Sequence, residues 1–88
     1  MTAISLLTQP DCALCEHAKK VLARVGEDHP VEVTEIGLAS PQGRALATQA
    51  GVRFAPGILV GGRLFSYGRL SERKLRRALE RLATQTGG

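Results

Sequence analysis

The sequence predicts one α/β domain, a four-stranded mixed sheet flanked by three helices in the order β-α-β-α-β-β-α. Three observations predict it: short apolar runs typical of strands, apolar residues at helical spacing between them, and a pair of glycines typical of a hairpin. The 88 residues suffice for one domain, residues 1–88, and leave no room for a second. We expect a frayed tail at about residues 84–88, where the apolar spacing stops.

The first strand and helix lie within residues 3–26. Residues 3–8 are mostly apolar and Pro10 follows them, which predicts a short buried strand. Gly26 predicts the end of the helix that comes next. The apolar face of this helix is predicted to consist of Leu14, Ala18, Val21, Leu22 and Val25.

A second strand and a short helix follow the turn at residues 28–30. Val31, Val33 and Ile36 predict the strand, which we expect to run parallel to the first because a helix connects the two. Ser40 followed by Pro41 predicts a helix start, since the serine side chain can cap it and proline lacks only an unneeded N–H. Gly51 predicts the end of this helix.

A hairpin and a last helix complete the chain. Gly61 and Gly62 lie between two strand-like segments, residues 57–60 and 63–67, and both glycines can adopt positive φ without strain. Ser71 is expected to cap the last helix. The predicted apolar stripe of that helix consists of Leu75, Ala78, Leu79 and Leu82.

Composition and charge exclude several classes of protein. Apolar residues make up 43% of the chain, but no apolar run is long enough to span a bilayer, so we expect no membrane partner. Residues 1–44 have a net charge of −2, whereas residues 45–88 have +6. A basic half can attract nucleic acid, but two Phe, one Tyr and no Trp argue against a single-strand binder. We interpret the last helix's cations as a solvated face: Arg73, Lys74, Arg76, Arg77 and Arg81.

Two cysteines, Cys12 and Cys15, lie where the first strand ends and the first helix begins. Unpaired N–H groups and the helix dipole favour a thiolate at that position, and only the thiolate attacks a disulfide. A cysteine one turn later can displace the mixed disulfide that forms. We therefore predict Cys12 as the nucleophile and Cys15 as the resolving thiol, with Cys15 the more buried.

Other roles for this pair remain open. A structural disulfide that closes so small a loop contributes little chain entropy. Zinc needs four ligands, and Cys12, Cys15 and His17 supply at most three at one corner, since His29 lies in a separate loop. We predict no bound metal, but a metal or iron–sulfur module stays an alternative, as does a redox-inactive scaffold that binds a partner.

The chain resembles a glutaredoxin-like protein of the thioredoxin-fold superfamily from about residue 3 to 83. Four features carry the resemblance: the strand at residues 4–8, the Cys12-Ala13-Leu14-Cys15 motif, the segment 52–56 before a strand, and the two-glycine hairpin. The resemblance implies a thiol–disulfide oxidoreductase that reduces or exchanges disulfides in proteins or glutathione-mixed substrates. It also implies a cis bond between Ala55 and Pro56, facing the cysteines and presenting the Ala55 backbone to an extended substrate.

The chain departs from the family pattern at three places. Ala13 and Leu14 replace the usual proline and aromatic residue between the cysteines. Arg69 stands near the place of an acid that holds the amine end of glutathione in the family, so glutathione is a possible co-substrate and a thioredoxin-reductase-type donor is the alternative. Asp11 precedes the nucleophile, and we expect it to cap the helix rather than to raise the pKa of Cys12.

Further residues are candidates for the site. Arg53 and Arg69 are candidate anchors for a carboxylate of glutathione or for an acidic partner. Tyr67 either contacts substrate or covers the sheet edge, and we expect His17 to be exposed because residues two apart face different sides of a helix. We expect a monomer without a bound cofactor. A single CxxC without a secretory signal predicts the cytoplasm.

Overall fold

The structure, a computed structural model, describes the backbone of residues 1–87 and the side chains of residues 1–83. Its seven elements follow the predicted order. They are β1 (Thr2–Thr8), α1 (Ala13–Asp28), β2 (Val31–Gly37), α2 (Pro41–Ala50), β3 (Gly57–Val60), β4 (Arg63–Tyr67) and α3 (Glu72–Gly87). The predicted tail at 84–88 lies outside the described side chains, and Gly88 lies outside the described residues altogether. No described helix combines the length and apolarity needed to cross a bilayer.

The four strands form one mixed sheet in the order β2-β1-β3-β4. Strand β1 runs parallel to β2, as predicted, and the hairpin strands β3 and β4 are antiparallel. Strand β1 also pairs antiparallel with β3, which joins the hairpin to the rest of the sheet. Because β1 is a central strand, Ile4, Leu6 and Leu7 are almost completely buried. The loop that follows β1 therefore begins at the end of a central strand, between β2 and β3.

Apolar side chains form a core on each face of the sheet. Ile4 and Leu6 belong to the larger cluster, which packs against α1 and α3. Leu7 faces the other way and packs against Ala47 of α2. This alternation follows from the two-residue repeat of a strand, which gives β1 a buried side chain on both faces.

Helix α1 differs from its prediction at both ends. It continues past Gly26 to Asp28 and ends where the N–H of His29 donates to the Val25 carbonyl at 2.9 Å. Gly26 does not stop it because a glycine within a helix costs only about 1 kcal/mol. Leu14 was expected on the buried face but is 39% exposed. The buried stripe instead begins at Cys15, and consecutive residues are about 100° apart around a helix.

The remaining turns and helix starts follow the sequence. Ser40 caps α2 by accepting the N–H of Gly43 at 3.0 Å, and Gly51 ends α2 with φ of 83°. Gly61 and Gly62 also have positive φ, as the hairpin prediction requires. Ser71 accepts the backbone N–H of Lys74 at 3.3 Å at the start of α3.

A network of four charged side chains joins α1 to α3. Glu72 accepts from Arg24 at 2.8 Å and from Arg76 at 3.0 Å, while Arg76 also reaches Asp28 at 2.7 Å. The two arginines, Arg24 first, lower the pKa of Glu72, and Asp28 followed by Glu72 raises the pKa of Arg76. The prediction of a purely solvated Arg76 is therefore wrong: it is half-buried, because carboxylates of two helices lie within its reach.

Candidate functional site

Three loops meet at one end of the sheet, where β1 and β4 end and β3 begins. Leu7 of β1 pairs with Gly57 of β3, and Gly57 pairs in turn with Tyr67 of β4. The segments that adjoin these three residues are the cysteine loop, the Pro56 loop and the connection to α3. These segments must emerge at the same end of the sheet because their strands are in register there. The sheet thus brings together the two motifs that the sequence singled out.

Cys12 and Cys15 are joined by a disulfide, with 5.2 Å between their Cα atoms. Cys12 occupies the N-cap of α1, and its Sγ accepts the backbone N–H of Cys15 at 3.1 Å. Cys15 is 1% exposed, whereas Cys12 is partly exposed, so the prediction that Cys15 is the more buried thiol is confirmed. A substrate can therefore approach Cys12 far more readily than Cys15.

Asp11 does not cap α1, contrary to its prediction. Cys12 takes that position instead, and Asp11 is exposed with φ of 53°. Aspartate tolerates this left-handed conformation because its short polar side chain can bond locally. Asp11 adjoins Cys12 in the sequence, so a negative charge lies one residue before the candidate nucleophile, whose Sγ accepts the N–H of Cys15.

The proline loop lies against the end of β4. The bond between Ala55 and Pro56 is cis, as the resemblance implied, and both residues are buried. The N–H of Gly68 donates to the Pro56 carbonyl at 2.8 Å. This bond ties the proline loop to the connection that leads into α3.

The candidate recognition side chains divide into an aromatic pair and two exposed cations. Tyr67 is half-buried against the core cluster that contains Leu7 and Ala47. Its ring meets that of Phe54 edge to face, with ring centroids 5.0 Å apart. Arg53 and Arg69 are both exposed, on the proline loop and beyond β4. Sequence reasoning missed Phe54, which is 54% exposed. An aromatic residue two positions before Pro56 was the available signal.

His17 is half-buried rather than exposed, which corrects its prediction. Its Nδ1 atom is buried and has no hydrogen-bond partner in the described part of the chain. The residue lines a cleft of about 350 Å³ where α1 meets the start of α3, together with Arg69 and Glu72. Helix α3 covers this side of α1, which periodicity within α1 alone cannot show. Among residues 1–83, no three His, Cys, Asp or Glu side chains are grouped as metal ligands.

An acidic cavity of about 650 Å³ lies on the β2 side of the cysteine loop. Its lining includes Asp11, Glu16, Lys19 and Glu35. Lys19 pairs with Glu16 at 3.0 Å and with Glu35 at 3.2 Å, and these bonds, Glu16 first, raise the pKa of Lys19. The surface around the cysteines is therefore acidic towards β2, whereas Arg53 and Arg69 lie on loops that precede β3 and follow β4.

Comparisons with known proteins agree with this geometry. The family model of the glutaredoxin-like domain (DUF836) matches residues 3–80. A probable thioredoxin of Archaeoglobus fulgidus is 26% identical over 82 residues, which cover 93% of this chain and 90% of the relative.

Solved structures show the same fold at low identity. Thioredoxin 1 of Thermosipho africanus superposes with a TM-score of 0.73 at 12% identity, over 98% of this chain and 99% of its own. A mutant thioredoxin of Halobacterium salinarum gives 0.71 at 23% identity, over 91% of this chain and 73% of its own. The four-stranded sheet and its helices are thus a thioredoxin fold.

Proposed function

The chain belongs to the glutaredoxin-like domain family, and we propose that it acts as a thiol–disulfide oxidoreductase on the disulfides of other proteins. One observation carries the proposal: Cys12 and Cys15 are bonded at the start of α1, with the outer sulfur partly exposed and the inner one buried. An exposed nucleophile beside a protected resolving thiol is the arrangement that two-step disulfide exchange requires.

The exchange proceeds in two steps. The Cys12 thiolate attacks one sulfur of the substrate disulfide; a new S–S bond forms, the old one breaks, and the leaving sulfur takes up a proton as a thiol. The Cys15 thiolate then attacks the Sγ of Cys12, which releases the second substrate thiol. The substrate gains two electrons and two protons, and the protein is left with the Cys12–Cys15 disulfide seen in the structure.

Residues around the cysteines supply recognition in this proposal. Ala55 precedes the cis bond, and its backbone is proposed to pair with an extended substrate segment. Pro56, which is held by Gly68, fixes the position of that backbone. Tyr67, Arg53 and Arg69 complete the proposed substrate contacts, with the guanidinium groups facing carboxylates.

The dithiol itself stores the two electrons, so the proposed cycle uses no bound cofactor. Either glutathione or a thioredoxin-reductase-type donor reduces the disulfide again, and glutathione-mixed disulfides are a second proposed substrate. Arg69 in place of an acid supports the reductase-type donor, since it offers no anion to the glutathione amine. We propose that the protein works as a monomer in the cytoplasm, where thiols are kept reduced.

Two single variants test the proposed roles. Cys12→Ser should abolish reduction of a protein disulfide, whereas Cys15→Ser should accumulate a mixed disulfide that mass spectrometry detects at Cys12. Running the wild type with glutathione and its reductase, then with thioredoxin reductase, identifies the donor. The proposal fails if wild-type protein reduces no disulfide with either donor. A visible absorption band in freshly purified protein would instead indicate a bound metal or iron–sulfur cluster.

A further inference from the structure

A groove of about 450 Å³ runs between β4 and α3. Phe65 and Ala78 are the apolar residues that line it. Three of its cations, at positions 74, 77 and 81, follow one face of α3 at helical spacing. The cationic side chains that line it are Arg69, Lys74, Arg77 and Arg81.

These four cations form no ion pair with any other side chain that the structure describes. Across residues 1–83, it is the side chains of Lys19, Arg24 and Arg76 that form ion pairs. Like charges three or four residues apart on a helix repel one another, and an anionic occupant relieves that repulsion. Charge complementarity therefore indicates a ligand that presents several negative charges in a row.

The neighbouring strand indicates that this ligand is a polypeptide. Strand β4 is at the edge of the described sheet, so one side of its backbone has no strand partner there. An added strand can pair with such an edge through main-chain hydrogen bonds. Positions 74 and 81 are about 10 Å apart along the axis of α3, which an extended segment spans in about three residues. Among the described side chains that line the groove, Phe65 is the one aromatic, too few for the stacking that single-stranded nucleic acid requires.

The groove starts at the end of the sheet where the cysteine loop and the proline loop lie. Arg69, one of its four cations, follows Tyr67 by two residues, and Tyr67 pairs with Gly57 immediately after Pro56. We propose that an acidic, extended segment of the substrate protein docks in this groove beside β4 while its disulfide reacts at Cys12. This inference rests on the proposed function and adds a substrate class to it.

Two synthetic peptides test the proposal. Each has one disulfide followed by a segment in which alternate residues are glutamate in one peptide and glutamine in the other. At low salt, the reduced wild-type protein should reduce the glutamate peptide about tenfold faster than the glutamine peptide. About 0.5 M salt should remove most of that preference. The double variant Lys74→Gln/Arg77→Gln removes two of the four groove cations and should remove most of this preference.

A matched control variant has the same net charge as the groove variant. Lys20→Gln/Arg73→Gln removes two exposed cations that do not line the groove, and it should retain the preference. If both double variants lose the preference for the glutamate peptide equally, long-range attraction explains it and the groove proposal is overturned. Equally tight binding of a glutamate peptide methylated at alternate backbone nitrogens would overturn strand addition. Tighter binding of a single-stranded oligonucleotide of equal charge would overturn the choice of a polypeptide.

Failure of the proposed function gives a different result. In that case the wild type reduces neither peptide. The groove is then tested by fluorescence anisotropy with a labelled glutamate peptide that lacks cysteine. Binding that weakens about tenfold in Lys74→Gln/Arg77→Gln but not in the control supports the groove, and equal binding to all three proteins overturns it.

Discussion

The Sγ of Cys12 accepts the backbone N–H of Cys15 at 3.1 Å, so the candidate nucleophile is itself the N-cap of α1. A serine or aspartate usually satisfies such an N–H group. A thiolate accepts a stronger hydrogen bond than a thiol does, and the positive end of the helix dipole adds to its stabilisation. The residue that starts the helix is therefore also the residue proposed to react.

This contact predicts an acidic thiol at Cys12. In a Cys15→Ser background, which leaves one thiol and retains the backbone donor, alkylation of Cys12 by iodoacetamide should be half-maximal at least about one pH unit below 8.5, the ordinary thiol pKa. Asp11→Asn in that background should lower the midpoint by a further few tenths of a unit (~0.3), because it removes a neighbouring negative charge. A midpoint at or above 8.5 would contradict the stabilising role of the N-cap.

Phe54 should matter for large substrates more than for small ones. It is exposed beside Tyr67 and next to Ala55, where an extended polypeptide would pass. Phe54→Ala should lower kcat/KM for a protein disulfide about 3- to 10-fold, through lost apolar contact, and leave reduction of a small aromatic disulfide within about twofold. Val33→Ala, which shortens a comparably exposed side chain on β2, away from the proposed docking strand, is the control. Equal effects of both variants on both substrates would argue against a recognition role.

Gly43 should not tolerate a methyl group. A Cβ at this position would overlap the carbonyl oxygen of Gly37 at the end of β2. Glycine to alanine within a helix normally stabilises by about 1 kcal/mol, but Gly43→Ala should destabilise by about 1–3 kcal/mol in urea unfolding. The control is Gly26→Ala in α1, where the new Cβ would lie 3.6 Å from Val31 and stability should rise. A stabilised Gly43→Ala protein would show that α2 does not pack so closely against β2.

The ion pairs between α1 and α3 should make part of the stability depend on pH. Because Arg24 and Arg76 lower the pKa of Glu72, the folded state binds the Glu72 proton more weakly than the unfolded state does. This contribution is present above the ordinary value of 4.5 and is lost as pH falls through the lower folded pKa. Glu72→Gln should therefore lower Tm at pH 7, by at most about 5 °C, and by much less at pH 3.

Glu27→Gln is the matched control for this pH dependence. Glu27 is exposed on α1, and its carboxylate has no ion pair in the side chains described for residues 1–83. Its substitution should change Tm little at either pH. A Glu72→Gln difference from the wild type that is the same at pH 3 and pH 7 would show that the carboxylate's charge does not contribute.

Local patterns in the sequence determined most of the architecture. Apolar spacing, the Ser40 and Ser71 caps and the Gly61-Gly62 turn predicted all seven elements and their order. The helical connection between β1 and β2 predicted their parallel pairing. These features depend on residues close together in the chain, where backbone sterics and periodicity decide the conformation.

Only the tertiary structure decided how the site is composed. The N-cap role of Cys12, the buried Nδ1 of His17 and the contact between Phe54 and Tyr67 were not predicted. The ion pairs of Arg76 with carboxylates on two helices were likewise not predicted. Each of these depends on which distant segments the sheet register and helix packing bring together. A pattern within one element shows which face is apolar, but not which side chains of another element will cover it.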